Sequence, residues 1–270
     1  MTTPHNICRL CLRGEQLLNS HLIPAGVIKL LRAKKAPNPN PLIITTDWIG
    51  QSSEQATEYA FCRKCEDIFN DGGERWLIPR LANLEGFPLY DMLTKAQPFF
   101  RQDDLSAYHA SSIPDFERGK VIHFAMGIFW KASIRDWARK GPAIEIDLGE
   151  YAEPIRQFVL GSGPFPPRTY LSVCILPPTV PLVGMLMPVR MVQKDFHRFK
   201  FYVPGVEFEL KVGKRVPDAF REECIATGPL ELVTSSPAFA MTMGKNYVDA
   251  RNTAQIAPGF AKYLRERGEG

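Results

Sequence analysis

Between residues 116 and 139, apolar side chains recur at Val121, Phe124, Ala125, Ile128 and Ala132, the i, i+3, i+4, i+7 rhythm of a helix face. Ile122, Met126, Phe129 and Trp130 fill much of the remaining circumference, so the spacing predicts a helix buried on most sides, the spine of its region. A second helix is expected over 150–160, with Ile155, Phe158 and Val159 inward and Gly161-Ser162-Gly163-Pro164 ending it. Beyond it the period changes from helix to strand. Segments 169–176, 183–192, 198–203 and 206–212 are apolar or alternating and are separated by Pro or Gly, with Pro204-Gly205 as a turn between two of them. Segments 230–233 and 239–243 are candidates for further strands, and 259–268 for a short exposed helix. The predicted class is α+β, with a small antiparallel sheet packed on the long helix.

The first part of the chain is organised differently. Val27, Ile28, Leu30 and Leu31 suit a short helix over 25–35 that begins after Pro24. Residues 36–41 read Ala-Pro-Asn-Pro-Asn-Pro, a loop, because alternating prolines remove donors and fix φ. Residues 62–69 open another helix with Ile68 and Phe69 inward, and Asp71-Gly72-Gly73 is expected to stop it. The Pro-rich stretch 78–114 reads as a link. The expected organisation is a module over 1–80 and an α+β region over 81–270.

Four of the six cysteines form matched pairs, Cys8-Arg9-Leu10-Cys11 and Cys62-Arg63-Lys64-Cys65, with His21-Leu22-Ile23-Pro24 between them. Two such knuckles can bring four thiolates around one tetrahedral Zn²⁺. Residues 1–5 show neither a basic start nor an apolar core, and no stretch approaches the ~20 apolar residues of a membrane span. The expectation is therefore a cytoplasmic chain with no membrane contact, in which paired cysteines hold metal rather than form disulfides. Cys174 and Cys224 read as buried small hydrophobes. Zn²⁺ held by four sulfurs has no open position, so its role is to fix the module.

The apolar fraction of 45% and charged fraction of 23% are ordinary for a globular chain, and a net charge of +4 permits nucleic-acid binding without demanding it. Lys29, Arg32, Lys34 and Lys35 cluster after the His-Leu-Ile-Pro segment, and Arg63, Lys64 and Arg75 flank the second knuckle. They form either a solvated face or a grip on backbone phosphates.

The order of these parts resembles the HNH endonuclease family, the zinc-stapled ββα-metal nucleases. That pattern runs Cys-x-x-Cys, an acidic residue or histidine before His-Ile-Ile-Pro, then Cys-x-x-Cys followed by Asn or His. Here it reads Cys8-x-x-Cys11, Ser20-His21-Leu22-Ile23-Pro24 and Cys62-x-x-Cys65-Glu66, and the resemblance covers residues 5–75. It implies a treble-clef, HNH-like zinc module and an endonuclease that hydrolyses phosphodiester bonds, with DNA as its nucleic-acid partner. His21 would be the general base on water, as imidazole suits near neutral pH. Mg²⁺ or Mn²⁺ would stabilise the developing charge. Glu66 is nominated as a metal ligand by its position. The region around Phe129-Trp130-Lys131-Ala132 is similar to the companion region of bacterial proteins with a related zinc module, and 81–270 is a candidate surface for a protein partner.

Ser20 stands where many members have a metal ligand, and the family's central asparagine has no counterpart in Glu58-Tyr59-Ala60-Phe61. Asn70, Asp71 and Glu74 lie close enough downstream to complete a metal shell. An alternative reading is a catalytically inactive zinc-stapled module that binds nucleic acid or protein. His21 itself stands open between general base, hydrogen-bonded core residue and zinc ligand. His109, His123 and His197 have no carboxylate at a telling spacing. His123, Trp130 and Trp137 fall seven apart and read as a packed aromatic stripe. Gly161-Ser162-Gly163-Pro164 lacks the lysine of a phosphate loop. Asp103-Asp104 reads as a solvated loop.

Overall fold

A computed structural model describes residues 4–32, 40–44, 48–52, 54–134, 137, 146–179, 184–253, 255–258, 261–262 and 265. The chain opens with β1 (His5–Ile7) and β2 (Gly14–His21), then α1 (Ala25–Leu30), β3 (Leu42–Ile44), β4 (Trp48–Gln51), β5 (Thr57–Cys62) and α2 (Arg63–Phe69). A π-helical turn (Asn70–Glu74) and α3 (Arg75–Leu77) continue α2 directly, followed by α4 (Pro88–Leu93). Next come β6 (Phe100–Gln102), β7 (Leu105–His109), α5 (Arg118–Ala132), α6 (Ala152–Leu160) and β8 (Thr169–Ile175). The remainder comprises β9 (Leu186–Met191), β10 (His197–Val203), β11 (Val206–Val212), α7 (Asp218–Glu222), β12 (Leu232–Ser235), α8 (Ala238–Thr253) and β13 (Gln255–Ile256).

The fold is α+β. Among the described residues, β1-β2-β5 form a small sheet beside the cysteines, β13-β4-β3 form another, and seven strands are ordered β6-β7-β12-β8-β11-β10-β9. In β8 the alternation is visible directly: Leu171, Val173 and Ile175 are buried, and the residues between them are half-buried. Gly205 turns β10 into β11 at φ +83°, a value glycine adopts without a Cβ clash. The sheet is larger than expected and not wholly antiparallel, since β12 runs parallel to β8 with Val233 opposite Val173.

Helix α5 is the buried spine that the periodicity predicts. Phe129 meets Phe201 of the sheet with ring centroids 4.8 Å apart, and Phe124 meets Phe208 at 5.9 Å. On the other side Trp130 lies 5.8 Å from Phe61 of β5 and 6.4 Å from Phe69 of α2. One apolar cluster therefore runs from the cysteine end of the chain through α5 to the sheet.

Several expectations are corrected. The helix predicted over 116–139 is α5, which ends at Ala132. The Ser133 hydroxyl donates to the Trp130 carbonyl at 2.7 Å, and the Trp137 indole N–H donates to that of Lys131 at 2.6 Å. Side chains thus add to the backbone bonds that the Ser133 and Ile134 N–H groups already make to these carbonyls, and Trp137 folds back instead of extending a stripe. Asp71-Gly72-Gly73 does not stop a helix. A Cβ on Gly73 would lie 2.4 Å from the Lys120 carbonyl oxygen, and one on Gly72 would lie 2.2 Å from the His123 ring. These glycines give clearance against α5 while the helix continues through the π turn.

Segment 78–114 is not merely a link, because β6 and β7 extend the large sheet. Strands of three and five residues carry too few periods to stand out. Segment 239–243 belongs to α8, where Ala and Met favour helix and the Ser236 hydroxyl accepts from the Ala238 N–H at 3.2 Å. The helix predicted over 25–35 is seen as Ala25–Leu30, and that over 150–160 as α6 after a 3₁₀ turn. Lys34, Lys35, residues 36–39, residue 183 and most of 259–268 lie outside the described residues.

Candidate metal centre and adjoining pocket

The cysteines converge because the ladder between β2 and β5 sets their register. Leu17 lies opposite Cys62 and Leu18 opposite Phe61, with an irregularity before Asn19. The first knuckle is a tight turn, in which the Leu12 N–H donates to the Cys8 carbonyl at 2.9 Å and the Cys8 N–H to that of Arg13 at 2.8 Å. The Arg9 N–H donates to the Ala60 carbonyl at 3.0 Å, docking this turn on β5. The second knuckle is the start of α2. The Cys62 N–H points at Cys8 Sγ, 3.4 Å away.

Sγ atoms of Cys8, Cys11, Cys62 and Cys65 all lie within 4.8 Å of one another. Zn–S bonds of about 2.3 Å in a tetrahedron place sulfurs roughly 3.8 Å apart, so the four thiols fit such an ion. Cys8, accepting from the Cys65 thiol, is held down to about 4, and that same contact pushes Cys65 up. Four sulfurs this close cannot all ionise without a cation among them. The cluster is a metal-binding arrangement suited to a structural ion such as zinc. The guanidinium of Arg156 on α6 braces it, donating from Nη1 to the Leu10 carbonyl inside the first knuckle.

Strand β2 ends at His21, and α2 begins within the second knuckle. The two elements bound a cavity of about 260 Å³ lined by His21, Glu66, Asn70, Glu74, Ile78 and Lys131, with Pro24, Ala25 and Gly26 at one side. Glu66, Asn70, Glu74 and Ile78 are spaced by four. An ideal α-helix drifts about 40° with each step of four. A wider π turn, common at functional sites, reduces that drift, and it lies at Asn70–Glu74.

Ser20 is buried, and its hydroxyl donates to Glu66 Oε1. Glu74 Oε1 accepts from Lys131 Nζ at 3.3 Å, with side-chain exposures of 14% and 3%. Burial holds the His21 imidazole below its usual value, reinforced by Lys131 and opposed by the carboxylates of Glu66 and Glu74. Neutral His21 is thus favoured near pH 7.

The structure brings His21 and Glu66 to one cavity and adds Asn70 and Glu74. Asp71 instead pairs with Arg75 on the exposed side of the helix. Among the described residues, the four cysteines are the only group of three or more histidines, cysteines and acids drawn together closely enough for a metal. Lys131 was not a sequence candidate for the site, although a lone charge inside an otherwise apolar helix pattern is a signal that could have found it.

The other histidines lie elsewhere. His109 Nδ1 is 2.8 Å from the Leu230 carbonyl, His123 Nε2 is 3.0 Å from that of Val159, and His197 Nδ1 is 3.2 Å from Arg190. Asp103 and Asp104 are exposed at the β6–β7 turn. Cys224 is buried, while Cys174 is half-buried with a thiol that burial pushes up to about 11. Among the described residues no helix is long and apolar enough to cross a membrane. The chain matches no protein-family model, no curated protein and no solved structure among those with which it was compared.

Proposed function

We propose that this chain is a metal-dependent endonuclease of the HNH type that hydrolyses phosphodiester bonds in DNA, with His21 as general base. The observation that carries this reading is the meeting of His21, at the end of β2, with Glu66, Asn70 and Glu74 from the following helix. The His-Leu-Ile-Pro segment and the two knuckles lie in the family's order, and the β2–β5–α2 arrangement supports the likeness. A neutral imidazole at a ring nitrogen can take the proton from a water that attacks phosphorus.

Glu66, Glu74 and the Asn70 amide offer hard oxygen donors of the kind Mg²⁺ or Mn²⁺ prefers. When bound, such an ion supplies Lewis-acid stabilisation of the charge on the phosphate and the leaving oxygen. The charges are consistent with it. Two carboxylates and one ammonium leave the pocket at −1, a divalent ion brings it to +1, and one phosphodiester neutralises the total. Ser20 positions Glu66 by its hydrogen bond. The basic residues Arg63 and Lys64 are exposed at the start of α2, where they can meet backbone phosphates.

The test is plasmid nicking by the zinc-loaded protein with Mg²⁺ or Mn²⁺. His21→Ala is expected to lower the rate by at least 10²-fold while zinc content stays unchanged. Nicking that survives this substitution removes His21 from the mechanism.

One observation favours the alternative of an inactive zinc-stapled binding module. Both carboxylates already have partners within the chain, Glu66 in Ser20 and Glu74 in Lys131. That reading expects DNA or protein binding with no cleavage at any divalent-ion concentration.

A further inference from the structure

Helix α5 buries ten apolar or glycine residues and one charge, Lys131. An ammonium at 3% exposure is a costly group to bury, and it is ordinarily held by close, multiple acceptors. Among the described residues Lys131 has one acidic partner and two aromatic faces. Its one ion pair, to Glu74, is 3.3 Å long, whereas charge-assisted N–H···O bonds run about 2.7–2.9 Å. The face of the Phe69 ring lies 3.9 Å from Nζ. Lysine carries three donors, and Lys131 is one of the residues that line the His21 cavity. An apolar residue here would extend the packing of Phe61, Phe69 and Trp130.

We propose that Lys131, delivered from outside the zinc module, is a catalytic residue whose ammonium binds a non-bridging oxygen of the phosphodiester held beside His21. This rests on the endonuclease reading for its substrate. The ring faces of Phe61 and Phe69, 5.7 and 3.9 Å from Nζ, hold the ammonium in place. Glu74 is the parking acceptor that Nζ leaves when the phosphate arrives. No bond to lysine forms or breaks. Its part is a fixed positive charge aimed where negative charge grows.

Two measurements on the zinc-loaded full chain decide this. In plasmid nicking, Lys131→Met is expected to lower the rate at saturating Mg²⁺ by about 10²–10³-fold. Lys131→Arg should retain more of the rate. In the wild-type protein, inorganic phosphate should shift the ¹⁵Nζ resonance of Lys131.

A wild-type rate in Lys131→Met overturns the proposal. A change confined to the Mg²⁺ requirement also overturns it, since Lys131 would then act only through Glu74. An ¹⁵Nζ resonance unmoved by phosphate overturns it even if Lys131→Met fails to fold. Should the wild type nick nothing, the endonuclease reading falls, and the phosphate titration still decides for or against Lys131 as the anion contact.

Discussion

Arg156 and Leu10 are 146 residues apart, yet the guanidinium of Arg156 donates to the Leu10 carbonyl between the first two cysteines. Glu153 holds the other edge of that guanidinium, with Nη2 to Oε1 at 2.6 Å and Nε to Oε2 at 2.7 Å. The cysteine cluster is therefore braced by α6 as well as by its own turn. Arg156→Ala should cost about 1.5–3 kcal/mol, the range for hydrogen bonds to charged groups. It should also speed zinc transfer to a colorimetric chelator, and equal transfer rates for the variant and wild type would show that α6 does not brace the knuckle.

One Zn²⁺ per chain is expected by elemental analysis of the purified protein. Cys62→Ser removes a sulfur and should abolish stoichiometric zinc, with loss of protection from hydrogen exchange across β2, β5 and α2. A variant that retains one zinc per chain would exclude four-sulfur ligation.

The π turn packs closely against α5 at Gly73. Gly73→Ala places a methyl 2.4 Å from the Lys120 carbonyl, and neither backbone can yield freely. Destabilisation of about 3 kcal/mol is expected, at the upper end of overpacking costs. Gly86→Ala meets nothing within 4 Å and should shift the thermal midpoint little. Equal midpoints for the two variants would refute the seam.

A charged lattice on the large sheet sets the acid response. Burial alone would raise the Glu209 carboxyl, but Arg198 and Lys211 outweigh it and hold the group at about 2. Arg198 grips both carboxylate oxygens at 2.7 Å, and Lys211 Nζ lies 2.7 Å from Oε1. A depressed folded value means that the unfolded chain takes up the proton first. The stabilisation is thus present above the ordinary carboxylate range near 4.5 and is lost as pH falls from there toward 2. Glu209→Gln should flatten the pH dependence of chemical denaturation in that window and cost about 3 kcal/mol at pH 7, the scale for breaking a buried pair. An unchanged slope would remove Glu209 from the acid response.

Much of this was legible in the residues. The spacing of Cys8, Cys11, Cys62 and Cys65 identified the metal-binding cysteine cluster, and the periods of α5 and of the strands over 169–212 identified the α+β class. Those signals are strong because they repeat. What escaped was set by contacts between distant segments. Gly72-Gly73 reads as a stop, since nothing nearby in sequence shows that Lys120 and His123 pack against it. Trp137 reads as helix, because its turn back to the Lys131 carbonyl is tertiary. Lys131 joins His21 across 110 positions, a relation that local spacing does not encode.

The aromatic seam of Phe61, Phe69 and Trp130 has a practical consequence. A fragment cut after residue 80 would keep every cysteine of the cluster but leave two phenyl rings facing water. The part that carries the cysteine cluster is thus not a portable cassette: grafted elsewhere, it would need an equivalent of α5 to stay in solution and to refill its own hearth of rings.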